Sequence, residues 1–179
     1  SEVIFQPGTT RIWDYEFCGC SSLTEITIPE TVTTIGSGAF TSTGLTSVVI
    51  PNGVTNLGSD AFSSCKNLNS VTLPATLTEV PDSLFSDCSS LTNVTMPNGI
   101  TAIGSRAFNY CTGLSKINLP DSVTEIKSSA FSMTKSLTSV HFPAGLQTIG
   151  DNAFNYSAIT SVTLQNVTTI GKNAFSSCS

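Results

Sequence analysis

The sequence has few of the residues on which catalytic and ion-binding sites depend. It contains one histidine, His141, so a nucleophile–histidine pair or a proton relay would have to use that side chain. No D-x-D-x-D-G calcium loop occurs, and the turn Gly36-Ser-Gly38 is followed by no P-loop lysine. The sequence therefore argues against an enzyme, and we expect no metal and no cofactor.

Charge and long apolar runs are equally scarce. Charged residues make up 11% of the chain, the net charge is −5, and no basic cluster is present, which argues against a phosphate-neutralising surface for nucleic acid. No apolar run approaches the roughly 20 residues that span a bilayer, so we expect no membrane insertion by this segment. Serine and threonine, 53 residues together, take the place of charges, a composition typical of extracellular β-rich surfaces.

What the sequence does contain is a repeat. Phenylalanine recurs with spacings of 21 to 23 residues, and in six units a proline stands eleven residues before it. The consensus is Leu-x-x-Val-x-Leu-Pro-x-x-Val-x-x-Ile-Gly-x-x-Ala-Phe-x-x-Cys. The repeated phenylalanines are Phe17, Phe40, Phe62, Phe85, Phe108, Phe131, Phe154 and Phe175. One unit cannot bury its apolar residues alone, so adjacent units must stack, and we expect the central phenylalanines to form one buried column.

Each part of the consensus predicts a local structure. Apolar and polar residues alternate in Val94-Thr95-Met96, which predicts a half-buried strand that ends at the following proline. The Ala-Phe pair is expected to line the far wall of each coil in a short 3₁₀ or helical turn. The glycines that precede this pair are expected in a backbone conformation that other residues avoid. These glycines are Gly36, Gly58, Gly104, Gly150 and Gly171.

The strand signature Leu-x-x-Val-x-Leu and the ending Ile-Gly-x-x-Ala-Phe-x-x-Cys resemble the BspA-like, or Treponema-type, leucine-rich repeat. The resemblance implies a leucine-rich-repeat solenoid of right-handed stacked coils, mainly parallel β, with short 3₁₀ or helical turns on the convex side. We expect a single repeat domain over 1–179 with about eight units, a divergent first unit at about 1–22 and a shortened last unit at about 159–179. We also expect the chain to be a fragment of a longer protein.

The resemblance also implies a role and a location. It implies a bacterial surface or secreted protein, with some relatives in protists, that engages host proteins or other cells. We therefore expect a non-enzymatic extracellular or cell-surface module for adhesion or protein–protein interaction, with a host extracellular or cell-surface protein as partner. A glycan partner, a structural spacer that holds another domain, and a carbohydrate- or ice-binding Thr-rich face are the alternatives.

The six cysteines would suggest three disulfides in a secreted domain. Five of them follow a repeated phenylalanine by three residues, so they should stack in one column with parallel side chains. One rung of a sheet, ~4.8 Å, is longer than the ~3.8 Å between Cβ atoms that a disulfide favours. We therefore interpret the column as buried free thiols. Its members are Cys20, Cys65, Cys88, Cys111 and Cys178.

A binding site is predicted on the solvent side of the strands. Two side chains per unit should face solvent there, one on either side of the inward apolar residue, and most of them are serine or threonine. Four residues interrupt this pattern over three successive units, and we predict that they contact a ligand: Asn93, Lys116, Asn118 and His141. The face contains no Trp, Tyr or Phe, so a weak or multivalent contact is favoured.

Overall fold

The structure is a computed structural model that describes residues 3–178, and these residues wind into a parallel-strand β-solenoid of about seven turns. Every strand pairing joins equivalent positions of neighbouring coils, such as Val48 with Val71 and Ile126 with Ile149. The leucine-rich-repeat solenoid expected from the repeat is confirmed. The strands form two rows along the solenoid axis.

The first strand row is the Val-x-Leu part of the consensus. Val71 is buried and its neighbours Ser70 and Thr72 are partly exposed, because successive side chains of a strand point to opposite faces. We call the solvent side of this row the sheet face. Its strands are β3 (Ser47–Val49), β5 (Ser70–Thr72), β7 (Asn93–Thr95), β9 (Lys116–Asn118) and β11 (Ser139–His141).

The second strand row is built from the apolar pair that precedes the repeat glycine. The sequence shows this pair but does not predict a strand there, since two residues are too few for a periodic pattern. Neighbouring coils are held together by bonds such as the Gly104 N–H to the Val80 carbonyl, 2.8 Å. The strands are β1 (Arg11–Ile12), β2 (Thr34–Ile35), β4 (Asn56–Leu57), β6 (Glu79–Val80), β8 (Ala102–Ile103), β10 (Glu125–Ile126), β12 (Thr148–Ile149) and β13 (Thr169–Ile170).

The segment around each repeated phenylalanine, which we call the turn face, consists of successive β-turns. Residues 3–178 contain no helix, so the expected 3₁₀ or helical turn is wrong. In one unit the Cys111 N–H donates to the Phe108 carbonyl at 3.2 Å, three residues back. The residues two before and two after each phenylalanine have left-handed φ values between 54° and 75°, as at Arg106 and Tyr110. Two left-handed residues per turn prevent a right-handed helical segment.

The repeat glycines serve a different purpose from the one the sequence suggests. None of the five has a positive φ, so the expectation of an unusual conformation is wrong. A Cβ added to Gly104 would collide with the Val80 carbonyl oxygen and lie 2.7 Å from the Asp82 nitrogen, both on the preceding coil. Glycine is therefore favoured at Gly104 because two backbones approach each other closely.

The repeated phenylalanines form the centre of the core. The six from Phe40 to Phe154 are completely buried, which confirms the predicted column, and neighbouring rings stack with centroids 5.1 to 6.1 Å apart. Burial of each ring contributes about 1.5–3 kcal/mol, and each stacked pair adds about 0.5–1.5 kcal/mol. Phe17 and Phe175, in the end coils, are only half-buried.

Threonine hydroxyls connect the coils at the margins of both strand rows. Thr101 Oγ1 donates to the Thr78 carbonyl at 3.1 Å, and Thr124 Oγ1 donates to the Thr101 carbonyl at 3.2 Å. Equivalent bonds recur on the other row, for example from Thr92 Oγ1 to the Asn69 carbonyl at 3.3 Å. The hydroxyl-rich composition therefore supplies coil-to-coil hydrogen bonds as well as a solvated surface.

Candidate binding surface

The first strand row is interrupted where the predicted site lies. Strands β3, β5 and β7 form one sheet and β9 and β11 form another, and within residues 3–178 no pairing joins β7 to β9. The inward residues Val94 of β7 and Val140 of β11 are half-buried, whereas Val71 and Ile117 at equivalent positions are buried. An apolar side chain is therefore partly accessible on the β7 side of the gap, while Ile117 on the β9 side is buried.

The structure brings three of the four predicted residues together. Strands β9 and β11 pair in register, so that Asn118 lies opposite His141 and Lys116 lies opposite Ser139. Lys116, Asn118 and His141 are exposed on one face of this two-stranded sheet, with neighbouring strands ~4.8 Å apart. Asn93 is also exposed, but it lies on β7, across the gap. Ligand contact by these four residues stays a prediction.

The chemistry of this surface is polar and weakly charged. The ammonium of Lys116 donates hydrogen bonds, while Asn118 and His141 each offer a donor and an acceptor. In the part of the chain that the structure describes, no ion pair involves Lys116, so its charge is available to a partner. The five strands contain no aromatic residue other than His141, and their exposed apolar side chain is Val49 at 68% exposure.

A second interruption, which sequence reasoning missed, lies in the other strand row between β4 and β6. Pro81 stands where most units have glycine, and its missing N–H removes the inter-coil bond that Gly58 makes at 2.8 Å. A polar groove of about 550 Å³ runs along this row. Lys127, another replacement of the glycine, pairs there with Glu79 at 3.2 Å, and this hydrogen bond raises the pKa of Lys127.

The cysteine column is buried only in the middle of the solenoid. Cys65, Cys88 and Cys111 are completely buried, as predicted. Cys20 is exposed and Cys178 is half-buried, so the expectation of burial is wrong for these two. Both lie in end coils, where only one neighbouring coil covers the position.

The buried thiols are hydrogen-bond donors. The Cys88 S–H donates to the Phe62 carbonyl at 3.1 Å, and the Cys111 S–H donates to the Phe85 carbonyl at 3.1 Å, each on a preceding coil. Burial raises the pKa of both thiols, because a thiolate would lose its hydration in the core. Cys88 and Cys111 are therefore neutral thiols that donate to buried carbonyl groups, whereas a hydrogen bond from Cys88 lowers the pKa of Cys65 to about 7.

Within residues 3–178, neither a metal-binding cluster nor a membrane-spanning helix is present. Among residues 3–178, no three histidine, cysteine, aspartate or glutamate side chains converge in a way that could hold a metal ion. The described residues also include no helix long and apolar enough to cross a bilayer.

Comparison with known proteins places the repeat among characterised folds. Residues 1–114 and 59–179 match a family model described as a BspA type leucine rich repeat region, in six copies. A leucine-rich repeat protein from Eubacterium ventriosum is 32% identical, with a TM-score of 0.79 over 87% of this chain and 45% of that protein. A leucine-rich repeat protein from Treponema pallidum is 28% identical, with a TM-score of 0.68 over 94% of this chain and 70% of that protein.

No curated protein matches the chain. The chain spans less than half the length of the Eubacterium ventriosum protein.

Proposed function

Because the chain belongs to the family of BspA-type leucine-rich repeat proteins, we propose that it is a non-enzymatic binding module of the cell surface or extracellular space. Its partner is a protein, and contact is made through the sheet face. The residues that meet the partner are Asn93, Lys116, Asn118 and His141.

The observation that carries this proposal is the arrangement of β9 and β11 beside the gap. Elsewhere the sheet face is nearly uniform in small hydroxyls, which offer little discrimination between partners. Lys116, Asn118 and His141 are exposed together on paired strands and provide a charge, donors and acceptors. The half-buried Val94 at the gap adds an apolar contact next to these polar groups.

The proposal is tested by a binding screen. Extracellular-matrix and cell-surface proteins are immobilised, and binding of the full chain is measured by biolayer interferometry. For a protein that binds, the Lys116→Ala, His141→Ala double variant should bind roughly tenfold more weakly or worse, a loss of about 1.4 kcal/mol. Both residues are exposed, so the free energy of unfolding should change by no more than about 0.5 kcal/mol.

A matched control removes the same charge from another part of the surface. Lys66 and Gln147 are exposed outside the sheet face, and the Lys66→Ala, Gln147→Ala variant should keep its affinity. Full affinity in the folded Lys116, His141 variant would exclude the sheet face as the site. Failure to bind any protein of the panel would reject the binding role in favour of a spacer.

A further inference from the structure

Three successive coils carry large side chains at a turn-face position where the other coils carry small ones. The position lies two residues after the repeated phenylalanine, and elsewhere it holds glycine, serine or aspartate. The exceptions are Tyr110, Met133 and Tyr156, which we call the turn-face strip.

The backbone fixes the spacing of the strip. The N–H groups of Tyr110, Met133 and Tyr156 donate to carbonyls of the following coil at 2.9, 2.8 and 3.0 Å. Successive members are therefore one rung, ~4.8 Å, apart. All three have φ between 56° and 62°, a left-handed conformation that bulky residues rarely adopt.

The two tyrosines of the strip are exposed, and Met133 between them is half-buried. Tyr110 is 44% exposed and Tyr156 is 53% exposed, and among the described residues neither ring stacks on another aromatic ring. Tyr15 differs, since its ring lies against Gly38 of the next coil and so has a structural contact. Exposed tyrosines in a disfavoured conformation indicate an interaction surface, because tyrosine is among the residues that dominate binding energy.

The half of the chain that carries the strip is more basic than the other half, which favours an acidic partner, although Asp87 occupies the strip position in the coil before Tyr110 and Lys127 is paired with Glu79. Residues 103–178 contain five basic and three acidic residues, a net charge of +2, whereas residues 1–102 contain two basic and nine acidic residues, a net charge of −7. Arg106 and Lys135, both exposed, lie within four residues of Tyr110 and Met133 along the chain. No ion pair engages Arg106 or Lys135 in the described part of the chain.

We propose that the turn-face strip binds an acidic polysaccharide laid along the solenoid axis. The C–H faces of its sugar rings rest on Tyr110 and Tyr156, and its carboxylates approach Arg106 and Lys135. One rung is comparable in length to one pyranose unit of an extended glycan, and Ser132 and Asn155 beside the strip match its uncharged hydroxyls. An extended polypeptide repeats its side chains on one face every ~6.6 Å and would not stay in step with the coils.

The test uses the full chain and isothermal titration calorimetry with polygalacturonate, alginate and hyaluronan, together with an uncharged galactan and poly-glutamate. We expect binding to at least one of the carboxylated polysaccharides, weakened by salt. The Tyr110→Ser, Tyr156→Ser variant should bind that polymer roughly tenfold more weakly or worse. Serine occupies the same position at Ser42, Ser64 and Ser177, so this variant keeps a residue that the fold accepts.

Two controls separate this surface from others. The Tyr15→Ser variant removes a tyrosine outside the strip that is more exposed than Tyr110 or Tyr156, and it should bind the polysaccharide normally. The Lys116→Ala, His141→Ala variant should also bind it normally, because the strip and the sheet face are different surfaces. The proposal is overturned if no carboxylated polysaccharide binds, if the tyrosine variant binds like the parent, or if poly-glutamate binds at the strip equally well.

Discussion

The column three residues after each phenylalanine shows how a single position accepts several residue types. The buried Thr134 donates from Oγ1 to the Phe131 carbonyl at 2.7 Å, and the thiol of Cys111 donates to the Phe85 carbonyl. Both side chains are small, and each donates a hydrogen bond to a buried carbonyl oxygen. Without that donor, the carbonyl would accept fewer hydrogen bonds than it can. Thr43 and Ser157, at the same position, instead place their hydroxyls 3.2 and 3.3 Å from the thiols of Cys65 and Cys178 on the next coil, so the column accepts any small side chain that can hydrogen bond there.

The phenylalanine column should be sensitive to truncation in its centre. Phe108 stacks on Phe85 at 5.6 Å and on Phe131 at 5.2 Å, so Phe108→Ala should lower the free energy of unfolding by about 3–5 kcal/mol in a urea titration. Phe175→Ala is the control, because Phe175 is half-buried and stacks on one repeat phenylalanine only, Phe154. Equal losses in the two variants would contradict the central role of the column.

Burial of Cys111 predicts a specific dependence of stability on pH. Its pKa is raised in the folded chain above the ordinary value of 9.0, so its contribution is complete below pH 9 and is lost as the pH rises further. The loss reaches about 1.4 kcal/mol per pH unit, since the unfolded chain releases a proton that the folded chain retains. Between pH 8.5 and 10.5, the parent should therefore lose about 2 kcal/mol more stability than Cys111→Thr.

The matched control for this titration is Cys18→Thr, because Cys18 is exposed. Its stability should follow that of the parent over the same pH interval. If Cys111→Thr also follows the parent, the thiol of Cys111 ionises as readily in the folded chain as in the unfolded one.

At the scale of elements, the sequence was informative where a pattern is long enough to recognise. The alternation around Val71 predicts a half-buried strand, and the 23-residue spacing predicts stacking. The strand Ala102–Ile103 has only two residues and shows no period. In the sequence, a glycine at position 104 indicates either a left-handed turn or a close approach of two backbones. Only the contacts with the neighbouring coil distinguish these two explanations. Tyr110 gives no sequence signal of its left-handed backbone, because few non-glycine residues adopt it.

The gap between β7 and β9 predicts unequal hydrogen exchange at equivalent positions. The Leu73 N–H donates to the Thr95 carbonyl at 3.0 Å, whereas the equivalent N–H of Met96 has no such partner on the next coil within the described residues. The Met96 amide should therefore exchange with solvent much faster than the Leu73 amide in a hydrogen–deuterium experiment read by NMR. Similar protection of the two amides would show that β7 and β9 are paired and would remove the gap from the candidate site.

The candidate site was only partly accessible to sequence reasoning at this scale. The repeat register was sufficient to place Lys116, Asn118 and His141 on one surface, because equivalent positions of successive units align in a solenoid. The sequence did not predict the break in the sheet, because β7 and β9 have the same alternation of apolar and polar residues as the strands that do pair. The turn-face strip was also missed, because its members are recognised only when the position after Phe108 is compared across all coils and its exposure is known.

At the scale of the whole molecule, the solenoid is a linear array in which each coil contacts its neighbours. The buried residues form one continuous core from Ile12 to Ala174, and every strand pairing joins adjacent coils. Stability is then approximately a sum over coils and their interfaces. The fold of the whole array therefore depends on the alignment of equivalent positions in successive units. It depends less on which particular unit follows which.

Removal of one complete unit should therefore give a shorter solenoid that still folds. Deletion of residues 114–136 joins Gly113 to Leu137, the first residue of the next unit, and brings Phe108 next to Phe154 in the column. The variant should unfold cooperatively, with a smaller urea m-value because less surface is exposed on unfolding, and small-angle scattering should show a particle shorter by ~4.8 Å. The Lys127–Glu79 ion pair is lost as well, but an exposed pair contributes only about 0–1 kcal/mol.

Deletion of residues 114–133 is the control, because it removes 20 residues instead of 23 and shifts every later position by three. That variant should lose cooperative unfolding, since the later phenylalanines and glycines no longer meet their counterparts. If both deletions fold equally well, or if neither folds, register is not the property that holds the array together.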